Sequence, residues 1–154
     1  MPVLYRIDPS LKLIYSAAFG ICTGVDFFQA ERRAFQHELS RAEMQVIIDV
    51  STAKEVDFGL QDISQAIALM KERKLQNHKF EKTAVISLGS FAEMFVKAYG
   101  LLSEAAVEIV VFRSMEEAVK CLGLSESIAQ VLQIKNSLAD EFQKQPSGRA
   151  DIGG

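Results

Sequence analysis

Apolar positions along the chain change period several times, and each change predicts an element. In VLYRIDPSLKLIYSAAFG two short apolar runs flank Asp8-Pro9-Ser10, which predicts two strands around a turn. Proline presets φ there, and Asp or Ser can bond the local backbone. Gly20 closes the second strand. Thr23 then caps a helix, with Asp26 three residues on, where an acid favours the positive helix end. Phe27, Phe28, Ala34, Phe35 and Leu39 recur at helical spacing, while Glu31, Arg32, Arg33 and Glu38 mark the wet side.

MQVIIDV (Met44 to Val50) is short, β-branched and nearly continuous in apolar character, the pattern of a strand covered on both faces. Leu60, Ile63, Ile67 and Met70 give a three-four-three stripe for a second helix. TAVISL and VEIVVF read as two more buried strands. Ser90 and Glu93 form a capping box for a helix whose Phe91, Phe95, Ala98 and Leu102 share a face. Ser114 and Glu117 repeat that box at a helix ending near Gly123. Ser125 to Gln145 predicts a longer amphipathic helix with Ile128, Val131, Leu132, Leu138 and Phe142 on one stripe.

This order is strand, strand, helix, then strand-helix three times. It predicts an α/β fold: a mixed, mostly parallel sheet of about five strands, with an antiparallel edge hairpin, flanking helices and an extra C-terminal helix. The expected organisation is a domain over residues 1–124, the amphipathic helix over 125–145, and a tail over 146–154 expected to be mobile. Two placements are open for the stripe of that last helix. It folds back on its own domain, or it packs against a second copy and makes a homodimer.

Composition narrows the function classes. At 154 residues, 49% hydrophobic and 24% charged, the chain has the make-up of a soluble globular domain. A net charge of −3 argues against nucleic-acid binding, which needs clustered positive charge. No apolar run approaches the ~20 residues of a membrane helix. The first residues lack the charged and apolar regions of a signal peptide. Cys22 and Cys121 form no CxxC and read as reduced thiols, so a cytoplasmic location is expected. His37 and His78 have no partners at metal-ligand spacing, and no nucleophile or phosphate-loop motif is present. No catalytic residue, metal or cofactor is therefore expected. The stretch Lys71 to Lys82 sets five Lys or Arg against two Glu and reads as a solvated connection.

The candidate chemistry lies in VIIDVSTAKEVDFGL (Val46 to Leu60), read as a strand, a polar loop and a helix entrance. A loop at the carboxyl end of a parallel strand can bind an anion or partner through free N–H groups. The residues placed in such a site are Asp49, Ser51, Thr52, Asp57, Phe58 and Gly59. The plainer reading makes Asp57 a helix cap, Gly59 a tight turn, and Ser51 and Thr52 turn-bonding hydroxyls. Phe58 in a polar turn is expected to be exposed for partner contact. SLGSFAE is a second loop of this kind, but its capping box already accounts for it. In an alternative, Phe28, Phe35, Phe91 and Phe95 line an apolar pocket between helices and sheet for a lipid-like ligand.

With this element order, the run IIDVSTAKEVDFGL resembles the STAS domains, the sulphate-transporter and anti-sigma-factor-antagonist fold, and in particular the stand-alone bacterial SpoIIAA-like proteins. These have been compared with CRAL-TRIO lipid-binding folds. Asp49, Ser51, Asp57, Gly59 and Leu60 fill positions of the family's Asp-Leu-Ser and Asp-Ser-Ser-Gly-Leu runs. The resemblance spans about Val3 to Leu124 and implies a non-enzymatic bacterial regulatory module that binds a protein partner. The family's phospho-acceptor serine lies between the second Asp and the Gly. Only Phe58 stands there in this chain, so the phosphorylation switch does not carry over.

Overall fold

Asp8 builds the first turn. Its Oδ1 accepts from the Ser10 N–H (2.9 Å), the Ser10 hydroxyl (2.6 Å) and the Leu11 N–H (3.1 Å). That turn joins β1 (Val3–Asp8) to β2 (Leu13–Ala18) in an antiparallel hairpin. A computed structural model describes residues 2–40, 43–75, 82–89 and 108–146. Over them follow β3 (Gly20–Thr23), α1 (Gly24–Gln36), β4 (Gln45–Asp49), β5 (Ala53–Asp57), α2 (Leu60–Leu75), β6 (Lys82–Ile86), β7 (Glu108–Phe112), α3 (Met115–Cys121) and α4 (Ile128–Gln143).

The main sheet has the order β1-β2-β4-β6-β7, antiparallel at the hairpin and parallel elsewhere. This is the predicted mixed sheet, with four α-helices among the described residues. β4 is central, and its ladder continues past the strand through the Val50 N–H to Ile86 O bond (2.9 Å). Strands buried on both sides need apolar residues at consecutive positions, which Val46, Ile47 and Ile48 supply.

Two strands were not predicted. β3 and β5 form a separate parallel ribbon, pairing Ile21 with Glu55 and Thr23 with Asp57. The stretch read as a loop between Asp49 and Gly59 is therefore largely extended. Its sequence, AKEVD, has low strand propensity, and partner pairing overrides it.

The sheet is covered on both faces. On one, α1 and α2 bring Ala34, Phe35 and Leu69 onto Ile14 and Val46. On the other, α3 and α4 bring Met115, Val119, Val131 and Leu138 onto Leu13, Tyr15, Ile47 and Ile86.

The predicted box is complete at α1 and half-formed at α3, and the Ser90–Glu93 box lies outside the described residues. Thr23 and Asp26 make a reciprocal capping box at α1, and Ser114 accepts from the Glu117 N–H at α3. Gly123 ends α3 with φ +72°. There the Leu124 N–H reaches Val119 O (2.7 Å) and the Gly123 N–H reaches Lys120 O (3.1 Å). This double bond pattern needs a left-handed residue, which glycine adopts without a Cβ clash. α1 stops at Gln36, earlier than predicted, because His37 turns extended as its C-cap. Leu39 thus leaves the helical stripe and is exposed.

α4 takes the first of its two placements. It folds back over β1 and β2, with Val131 and Leu138 fully buried and Phe142 stacked on Phe19 at 5.0 Å. The stripe named for a homodimer is thus occupied within the chain, apart from Leu132, which is exposed. Both cysteines are free thiols, Cys22 buried and Cys121 half-buried. The predicted helix carrying Phe91 and Phe95, the stripe side chains Leu60, Ile63 and Met70, and residues 147–154 of the tail lie outside the described residues.

Candidate functional site

Asp49 ends the central strand β4, and its carboxylate is completely buried. A buried charge is expensive unless it is paired and hydrogen-bonded, and here both oxygens are engaged. Oδ1 accepts from the Ser51 N–H (2.9 Å) and the Ser51 hydroxyl (2.5 Å). Oδ2 accepts from the Tyr15 hydroxyl at 2.6 Å and lies 3.3 Å from Lys135 Nζ. Four groups from β2, the turn after β4 and α4 thus converge on one carboxylate at the end of β4.

The sequence places these groups for simple reasons. Tyr15 pairs with Ile47 and Ala17 with Asp49, so alternation puts Tyr15 and Asp49 on the same face, under α3 and α4. Lys135 reaches the carboxylate from above, its side chain about a quarter exposed (27%). Its stem can cover apolar surface while the ammonium pairs with the acid. Burial, with the Asp49 charge and hydrogen bond added, pushes the Tyr15 hydroxyl well above its ordinary range. Tyr15 therefore stays protonated and acts as a donor. The arrangement ties four segments together, with Ser51 at its half-buried outer side.

The structure brings together only two of the residues assigned to the loop site, Asp49 and Ser51. Thr52 bonds elsewhere, its hydroxyl donating to Ala18 O at 2.7 Å. Asp57 is exposed at the end of β5, paired with Thr23. The carboxylate at the entrance of α2 is that of Asp62, which accepts from the Gly59 N–H at 2.6 Å. Asp62 is itself buried against the first turn of α1, where a Cβ on Gly24 would collide with its carboxylate. Only glycine at position 24 allows the two helix starts to meet that closely.

Phe58 departs from its expected exposure. It is half-buried, its ring 5.1 Å from Phe27 and 6.1 Å from Phe28. The reason is long-range packing, because the ribbon carries Phe58 onto α1. Phe35 is buried and Phe28 partly buried in the layer beneath α1, whereas Phe91 and Phe95 lie outside the described residues.

The exposed apolar groups at this end of the sheet are others. Ile21 on β3 is 60% exposed, Val25 in the first turn of α1 53%, and Leu88 just after β6 66%. All three follow the carboxyl ends of β2 or β6, on the side of the sheet where parallel α/β folds bind partners. Sequence reasoning missed these residues, and it also missed Tyr15 and Lys135. A signal for Lys135 existed, since Ile128, Val131, Lys135, Leu138 and Phe142 keep a three-four spacing and place a lysine in an apolar stripe. Among the described residues, no group of three or more His, Cys, Asp or Glu is placed to hold a metal ion.

The α/β fold is SpoIIAA-like. A search of solved structures finds similarity to an uncharacterised protein of the DUF3478 family with a SpoIIAA-like fold from Shewanella loihica PV-4. The TM-score is 0.53 and the identity 17%, over 78% of this chain and 93% of that one. No family model matches the chain. No curated protein matches it either. Among the described residues, no helix is long and apolar enough to cross a membrane.

Proposed function

We propose that this chain is a non-enzymatic regulatory module that binds another protein at the carboxyl end of its sheet. The observation that carries the reading is the exposure of Ile21, Val25 and Leu88 at that end, Ile21 on the β3–β5 ribbon and Val25 just after β3. Large aliphatic side chains held mostly in water, next to a ladder that fixes their backbone, suit a contact surface. The Asp49 cluster supports the surface from below. It pins Ser51 and the start of the ribbon to the central strand, so the surface is presented without first having to be ordered. The carboxylate's engagement by four protein groups also favours a structural role over general-base chemistry. The reading keeps the binding function that the sequence implies, and moves its apolar contacts from Phe58 to Ile21 and Val25.

The test replaces both, as Ile21→Asp with Val25→Asp, and compares the proteins captured by the variant and by the wild type from cells of the source organism. Exposed positions tolerate such changes, so circular dichroism should be unaltered. Loss of a specific captured protein is the expected result. An identical capture profile with an intact fold would overturn the proposal.

A further inference from the structure

β1 is an edge strand of the main sheet, with β2 on one side and no strand on the other among the described residues. Edge strands leave a row of N–H and C=O groups ready to pair with another strand. An open groove of about 450 Å³ runs along this edge, lined by Val3 through Ile7 and flanked by His37, Leu39 and Glu141. Among the described residues this edge has neither a proline within the strand nor a bulge, although Arg33 also lines the groove. Prolines stand at positions 2 and 9, outside the strand, and the β1–β2 ladder runs from Val3 to Asp8 without a bulge. The one cation in the strand, Arg6, is held mainly by α4: its guanidinium donates to Glu141 (2.7 Å) and to the Ser137 hydroxyl (3.4 Å), with a longer contact to Tyr5 O (3.4 Å).

We propose that the occupant of this groove is the β1 strand of a second copy, paired antiparallel across a twofold axis at Tyr5. The sequence of the strand selects both partner and register. Side-chain alternation puts Val3, Tyr5 and Ile7 toward the α1 face, and Leu4 and Arg6 toward the α4 face. A twofold perpendicular to the sheet matches like faces, so the axis must pass through a residue. Centred on Tyr5, the pairing sets Val3 against the second copy's Ile7, the two Tyr5 rings side by side, and Leu4 against the Arg6 stem. Every one of these pairs is apolar or mixed. Centred on Arg6, two arginines would oppose each other directly, which is unfavourable. Centred on Leu4, only Val3 to Tyr5 would pair before Pro2, which has no N–H to give, whereas the Tyr5 register pairs Val3 through Ile7. The Tyr5 register also sets the exposed Leu39 of each copy beside the joint. The result is one continuous sheet across two copies, with the carboxyl-end surface of each copy left free.

Sedimentation velocity over a wide concentration range tests this, using the wild type with the variants Tyr5→Lys and Tyr5→Glu. The wild type is expected to dimerise. Each variant alone places like charges opposite one another and should raise the dissociation constant about a hundredfold. An equimolar mixture should restore the dimer, because the charges are then opposite. A wild type that stays monomeric, leaving the groove to a foreign strand, overturns the proposal. So do variants that dimerise as tightly as the wild type, or a mixture that fails to pair. Should the variants fail to fold, hydrogen exchange on the wild type decides. Amides of Val3 to Asp8 should gain protection as concentration rises, and concentration-independent exchange would refute the pairing.

Discussion

The two faces of the sheet are held by different physics. Beneath α1 and α2 the contacts are apolar: Phe35, Ala34, Met44 and Leu69 meet Ile14 and Val46, and Phe58 closes on Phe27 and Phe28. Beneath α3 and α4 a comparable apolar layer surrounds the Asp49 carboxylate with its tyrosine, lysine and serine partners. Apolar packing rewards any arrangement that excludes water, and its cost on mutation follows the volume removed. A buried charge rewards one arrangement and penalises the others, because only that one satisfies it. Both faces supply apolar burial, with more of the buried residues in the cluster under α3 and α4. The α4 face carries the device that fixes where the C-terminal helix sits.

The largest expected effect breaks the polar face. Asp49→Ala leaves the Tyr15 hydroxyl and the Lys135 ammonium without their shared partner, and should cost about 3–5 kcal/mol in denaturant unfolding. Converting the whole group, as Tyr15→Phe with Asp49→Leu and Lys135→Met, should recover most of that loss. Buried ion pairs often do no better than well-packed apolar replacements. A triple variant as unstable as Asp49→Ala alone would show that the cluster contributes more than pairing. On the dry face, Phe35→Ala should cost about 3 kcal/mol, a value set by the cavity it leaves. Converting a charged group to apolar residues applies to the Asp49 cluster, so the contrast between the faces would show in the rescue, not in the initial loss.

Much of this contrast was legible in the sequence, and the gaps have physical causes. The five strands of the main sheet announce themselves by apolar runs, and the caps at Thr23, Ser114 and Gly123 by local chemistry that needs no distant partner. β5 was hidden because Ala53-Lys54-Glu55-Val56-Asp57 becomes a strand only by pairing with β3. Phe58 was misplaced for a similar reason, since its neighbours Phe27 and Phe28 are distant in sequence. Asp49 and Ser51 stood out as polar residues at a strand end. Lys135 broke an apolar stripe and so was visible as an anomaly, but its partner emerges only once α4 lies over β2. The outward-facing Ile21 and Val25 carried no signal, because exposure is decided by the whole packing and not by residue type.

The smallest effect sharpens the comparison by pH. Tyr15→Phe removes one buried hydrogen bond and should cost about 1 kcal/mol at neutral pH. In the folded protein Tyr15 keeps its proton to higher pH than the ordinary value of 10.0, because burial and Asp49 disfavour the phenolate. Stability is therefore complete below about pH 10 and falls as pH rises beyond it, where the unfolded chain releases the proton and the folded one cannot. Cys22, beside α1, gives a slope of the same sign earlier. Burial and Asp26 raise its thiol from 9.0 to about 11, against a smaller opposing effect of the backbone at Phe19. The two are separated in a Cys22→Ala background, where the remaining loss above pH 10 should disappear on adding Tyr15→Phe. Unfolding curves for the two variants that stay parallel up to pH 11 would mean that Tyr15 titrates normally, and that the carboxylate beside it is more open to water than the packing of the α4 face implies.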